Sequence, residues 1–130
     1  MSATAIDWDE LRDAAADASR HSYSPYSGFA VGAAGLLRDG SRIRGTNVEN
    51  ASFVAGLCAE TALVGAMVAA GHGRGDLLAV AVTDAGGEDL APCGRCRQLL
   101  HEMGGPDLLV NERPIAELLP DAFGPDRLRR

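Results

Sequence analysis

LAPCGRCRQLL, Leu90–Leu100, sets two of the chain's three cysteines three residues apart, directly after Pro92. Residues at i and i+3 of a helix share a face, so Cys93 and Cys96 can aim both sulfurs at one point. A proline suits the entry to a helix, where its missing N–H costs nothing. Gly94 leaves room for backbone to come close. A buried helix over Gly94–Met103 is therefore expected. The third cysteine, Cys58, stands in GLCAETALVGA, Gly56–Ala66, near the start of another apolar run. An odd number of thiols does not make a disulfide framework.

Each helix N-terminus carries roughly half a positive charge and lowers the pKa of a thiol placed there. Three thiolates over-neutralise a divalent zinc ion by one charge, and two helix ends offset much of it. Three protein ligands with an open fourth position is the pattern of catalytic zinc. The expected cofactor is one zinc ion, held by Cys58, Cys93 and Cys96. His21, His72 and His101 stand at neither C-x-x-H nor H-x-x-H spacing, so each reads as a surface or satisfied side chain rather than a fourth ligand. Glu60 follows Cys58 by two. Positions i and i+2 diverge within a helix, so both face the metal only if Cys58 sits at the helix edge. Glu60 is then placed as a general acid/base beside a water.

The parts taken singly have plainer readings. A lone C-x-x-C is a structural clip or a redox pair, and a lone Cys58 is a small buried residue. The redox reading needs a thioredoxin-like context, which the neighbours of P-C-G-R-C do not supply. The conjunction is more specific: Cys58 of C-A-E at one helix start, then 34 residues that include a strand, then Cys93 of P-C-G-R-C at another.

Working outward, Asp7 and Glu10 give a D-x-x-E start signal, and the spacing of Leu11, Ala14, Ala15 and Ala18 predicts a helix over roughly Trp8–Arg20. SYSPYSG breaks it. Phe29–Leu37 and Ser41–Val48 read as a hairpin about Asp39-Gly40. Gly56–Ala70 is apolar on nearly every side and predicts a buried helix. Leu77–Thr83 reads as a buried strand, Asp107–Val110 as another, and Ile115–Leu119 as a short helix. Interleaved helices and strands imply a three-layer α/β/α sandwich about a mixed sheet.

At 130 residues, 46% of them hydrophobic, one domain spanning 1–130 with a real core is expected. The net charge of −6, with all twelve basic residues arginine and none in a dense run, argues against nucleic-acid binding. The N-terminus MSATAIDWDELRD has no secretory pattern, and apolar stretches break well short of about 20 residues, so no membrane partner is expected. A reducing, cytoplasmic setting suits the free thiols.

YSPYSGFAVGAA, GTNVENAS, LCAE, PCGRCRQLL and ELLPDAFGPDRL, in that order, resemble the small, homotetrameric, zinc-dependent cytidine deaminases of pyrimidine salvage. The resemblance covers nearly the whole chain. It implies a cytidine deaminase-like α/β fold and hydrolytic deamination of cytidine and 2′-deoxycytidine. It implies Cys58, Cys93 and Cys96 as zinc ligands and Glu60 as proton shuttle. It further implies Phe29 against the pyrimidine face, Ala59 of the C-A-E motif in the substrate pocket, and Asn47 and Glu49 on the ribose hydroxyls. Positions two apart in an extended chain do project to one side, although Asn and Glu here equally read as capping or turning residues. Ala51, Phe53 and Phe123 match segments that complete a neighbouring subunit's site, so a homotetramer with shared sites is implied.

Two departures stand out. Thr61 occupies a place where many relatives carry an arginine that hydrogen-bonds the zinc thiolates. Arg97, and less directly Arg95, are the arginines that could balance that charge. LLVNERPIAELLP is also short for the region of the fifth strand, which is expected to be clipped or missing. Rival readings are a blasticidin-S-type deaminase, a nucleic-acid-editing deaminase, and a zinc module that only clips two helices together. NVEN and Phe29 oppose the first, and the acidic charge opposes the second.

Overall fold

The computed structural model describes residues 5–128. The first four residues of the acidic N-terminal stretch and the last two of the chain lie outside the described residues. The elements are α1 (Trp8–Ser19), β1 (Val31–Leu37), β2 (Arg42–Thr46), α2 (Ala59–Ala69), β3 (Leu77–Asp84), α3 (Gly94–Gly104), β4 (Leu109–Val110), β5 (Arg113–Pro114) and α4 (Ile115–Leu118). One sheet runs β2-β1-β3-β4-β5. It is mixed: β1 pairs antiparallel with β2 and β3, β3 is parallel to β4, and β5 turns back antiparallel. Leu11 and Ala15 of α1 pack with Ala34, Leu36, Ala79 and Ala81 on one face. Leu63, Met67, Leu100 and Ile115 pack with Ala33, Leu37, Val80 and Val82 on the other. Alternate residues of β1 and β3 thus serve opposite layers, as the period of a strand dictates. The three-layer α/β/α sandwich is as the sequence implies. Among the described residues, no helix is long and apolar enough to cross a membrane.

Element ends differ from expectation for local reasons. Asp7 caps α1 by accepting from the Glu10 N–H at 3.1 Å, but the Glu10 carboxylate pairs with Arg42 instead of closing the box. β1 and β2 stop short at Val31 and Thr46 because the Asn47 side chain takes over the ladder. Its Oδ1 accepts from Val31 N at 2.9 Å and its Nδ2 donates to Phe29 O at 2.9 Å. The second helix starts at Ala59 rather than Gly56, because Leu57 exchanges backbone hydrogen bonds with Val48. The fifth strand forms, but only over two residues. Asn111 and Glu112, with φ of 51° and 66°, make the tight reversal, and Pro114 leads straight into α4.

The two long helices beyond the hairpin are less buried than their composition suggests. Leu63, Val64 and Met67 of α2 face the core, while Gly65, Val68 and Ala69 lie on an open outer face, Val68 at 52% exposure. α2 is an outer layer, and among the described residues no element covers its back. In α3, Cys96 and Leu100 are the buried residues.

Two glycines bring the helices down onto the sheet. A Cβ on Gly32 would stand 1.7 Å from the Ala15 carbonyl oxygen, and one on Gly45 would stand 2.4 Å from Ala59 O and Leu63 N. The second contact fixes where α2 begins, and hence where Cys58 and Glu60 point. Gly32→Ala is expected to destabilise by about 3 kcal/mol, the upper end of overpacking costs, because backbone must move. Gly73→Ala, with nothing within 4 Å, should change little. Denaturant titration of the two variants checks this, and equal stabilities would contradict it.

Candidate metal and substrate site

Cys58 is the N-cap of α2 and Cys93 the N-cap of α3, both extended, with ψ of 158° and 168°. As N-caps, both sulfurs sit over the first-turn N–H groups and positive ends of their helices, and the two helix starts face the same spot. Cys96, fully buried, completes the group: the three sulfurs lie within 4.8 Å of one another. Among the described residues no histidine joins them. Pro92 stands one residue before the N-cap rather than at the first helical position. A Cβ on Gly94 would meet open space, so that glycine is not needed for a close backbone approach.

The electrostatics of the cluster fit a cation. Burial pushes the Cys58 thiol up, with the charges of Cys93 and Glu60 adding to it. Burial pushes Cys96 up as well, followed by the charge of Glu60. Cys93 is also raised by burial, but the N–H groups of Cys96 and Arg95 and its sulfur neighbours bring it below the ordinary value. Such thiols oppose one another's ionisation until a cation sits among them. Zn–S bonds of about 2.3 Å put tetrahedral sulfur pairs about 3.8 Å apart, which this spacing reaches with a small contraction. The donor set is a good match for one zinc ion.

Because Cys58 lies at the helix edge, Glu60 shares its cavity. The carboxyl is buried at 4% exposure, and burial raises its pKa. Cys58, Ala59 and Glu60 line a cavity of about 870 Å³ together with Phe29, Asn47, Glu49, Phe53 and Arg95. Asn47 and Glu49 share a second task. Ser22 Oγ donates to Asn47 Oδ1 at 2.5 Å. Glu49 Oε1 accepts from the Tyr26 and Ser27 N–H groups at 2.9 and 3.1 Å, and its Oε2 accepts from Ser27 Oγ. Ser27's side-chain and backbone hydrogen bonds lower the Glu49 pKa. The two residues therefore clamp the loop that presents Phe29, the capping role that their types alone favour. Ala51 and Phe123 are exposed and do not line this chain's cavity.

The structure reverses the order of the two arginines. Arg97, the stronger candidate from sequence, donates to the carbonyls of Pro92 and Leu118 at 2.8 Å each, bracing the turn before α3 against α4. Arg95 instead reaches across to Thr61 at 3.4 Å, and Thr61 Oγ1 lies 3.7 Å from Cys96 Sγ. Sequence reading treated Thr61 as a missing charge. The contact joins residues 34 positions apart on different helices, and nothing local in the sequence signals it.

Comparison with known proteins agrees with this geometry. The model of the cytidine and deoxycytidylate deaminase zinc-binding region matches residues 7–112. The cytidine deaminase of Mycobacterium tuberculosis is 51% identical over 129 residues, covering 96% of each chain. That of Halalkalibacterium halodurans is 42% identical over 128 residues, covering 91% of this chain and 95% of its own. The crystal structure of the M. tuberculosis cytidine deaminase superposes with a TM-score of 0.88 at 51% identity, over 92% of this chain and 99% of that one. The structure of the enzyme from Burkholderia pseudomallei gives 0.83 at 38%, over 91% and 100%. Three cysteines gathered at two helix starts, with Glu60 beside them, thus sit in a chain that belongs to the cytidine and deoxycytidylate deaminase family with its zinc-binding region.

Proposed function

We propose that the chain hydrolyses cytidine and 2′-deoxycytidine to the corresponding uridines and ammonia. The observation that carries this reading is the buried Glu60 carboxyl beside the three-cysteine cluster, at the base of a cavity large enough for a nucleoside. Cys58, Cys93 and Cys96 hold the zinc. When bound, the ion would supply Lewis acidity that brings the pKa of a water down to about 7. Glu60 accepts the proton that this water gives up and delivers it to ring N3, making C4 more electrophilic. Oxygen adds to C4. Glu60 then takes the remaining proton from the oxygen on C4 and passes it to the exocyclic nitrogen, and the C4–N bond breaks to release ammonia and leave the C4 carbonyl of the uridine. Burial suits Glu60 to this exchange, because it favours the neutral carboxylic acid and brings the two protonation states closer in energy.

Phe29 offers its ring to the pyrimidine face, and Ala59 gives a small, buried wall beside the cysteines. Asn47 has one amide N–H beyond its internal bonds, and it faces the ribose with Glu49. Their shared grip on the loop of Tyr26 and Ser27 presets that geometry before substrate arrives. Ala51, Phe53 and Phe123 complete a neighbouring subunit's cavity in a homotetramer, Phe53 reaching it from the rim of this chain's own. Support comes from apolar surface that a lone chain leaves in water: Phe53 at 83%, Val54 at 92% and Phe123 at 57% exposure, together with the open back of α2. The three free thiols suit a reducing cytoplasm.

Glu60→Ala should keep its zinc and lose kcat by about 10⁴-fold or more, because one group handles every proton transfer. Ammonia release from cytidine, measured alongside metal content, decides this, and near-normal turnover would refute the role. Sedimentation should find a particle about four times the 13.5 kDa chain mass. Mixing inactive Glu60→Ala chains with impaired Phe123→Ala chains, refolded together, should recover activity. A monomer, or mixtures no more active than their parts, would contradict shared sites.

A further inference from the structure

We propose that Arg95 is a positioning residue for the metal centre, its charge passed to the Cys96 sulfur through the hydroxyl of Thr61. The inference rests on the three-cysteine zinc site. Zinc with three thiolates carries one surplus negative charge, and Cys96 is the fully buried member, screened from the water that would otherwise stabilise its sulfur. Arg97 does not serve it, because the hydrogen bonds of its guanidinium go to the carbonyls of Pro92 and Leu118. Arg95 stands between Cys93 and Cys96 in the first turn of α3, yet its Nη2 donates to Thr61 Oγ1 on α2 at 3.4 Å.

The direction of the relay follows from the donor inventory. A guanidinium only donates, so Thr61 oxygen accepts from Arg95. The one hydroxyl proton of Thr61 remains to be given, and Cys96 Sγ lies 3.7 Å away. The usual competitors for a helical threonine proton are the carbonyls three and four residues back. Thr61 Oγ1 makes neither bond: among the described residues its hydrogen-bond partners are Arg95 and Cys96. The proton therefore goes to the sulfur, and Arg95 polarises the hydroxyl that gives it. The chain runs from α3 to α2 and back to α3, so it also ties together the two helix starts that carry the metal ligands.

Partners of this kind, one step removed from the metal, typically change affinity by about 10- to 100-fold. The test is zinc release from the holoenzyme into an excess of a chromogenic chelator, a readout independent of catalysis. Thr61→Val should release zinc about tenfold faster, Thr61→Ser should restore the wild-type rate, and Arg95→Ala should accelerate release by a smaller factor. Arg95→Ala should add nothing in the Thr61→Val background. Arg95 is exposed, so its substitution should leave the fold intact even if Thr61→Val does not. Unchanged release in Arg95→Ala, or an equal acceleration in both backgrounds, overturns the relay. Zinc content is measured first. About one ion per wild-type chain upholds the site whatever the variants do, and wild-type protein without zinc overturns both readings.

Discussion

Convergence of three sulfurs on one point is the constraint from which the rest of the structure follows. Like-charged ligands within 4.8 Å repel unless a cation and favourable dipoles hold them together. The chain meets that demand with two helices that both begin at cysteine N-caps, so the ends of α2 and α3 supply positive potential where the thiolates collect. Everything else in the fold serves to deliver those two helix ends to the same place.

The delivery depends on small residues in the sheet. Gly45 lets α2 lie against β2 at backbone distance, and Gly32 lets α1 do the same on the opposite face. The central β3, buried along most of its length, separates the two layers and leads through a loop to Pro92 and Cys93. Arg97 then ties that loop to α4. A frame of this kind holds the buried Glu60 carboxyl beside the three cysteines. Glu49 restrains the loop carrying Phe29 by gripping the Tyr26 and Ser27 amides.

Much of this was legible in the sequence because the relevant signals are local. C-A-E and P-C-G-R-C point to the candidate ligands and to the helix starts, and apolar periodicity fixes the layers. Cys58 at the helix edge could be stated only as a condition, since it depends on Leu57 pairing with Val48 across the chain. The fifth strand was uncertain because two residues carry no periodic signal. The ranking of Arg95 and Arg97 was illegible for the same reason as the role of Thr61. Both depend on which side chains face each other between helices, which is set by packing rather than spacing. Asn47 and Glu49 were read as two alternatives, diol ligands or capping residues. The structure has them capping, in a position that leaves them beside the cavity.

X-ray absorption at the zinc edge on the purified protein reaches the central claim most directly. Three sulfurs at about 2.3 Å and one lighter atom at about 2.0 Å would match a three-cysteine centre with its remaining position open to solvent or substrate. A shell of four sulfurs, or one dominated by nitrogen and oxygen, would contradict it.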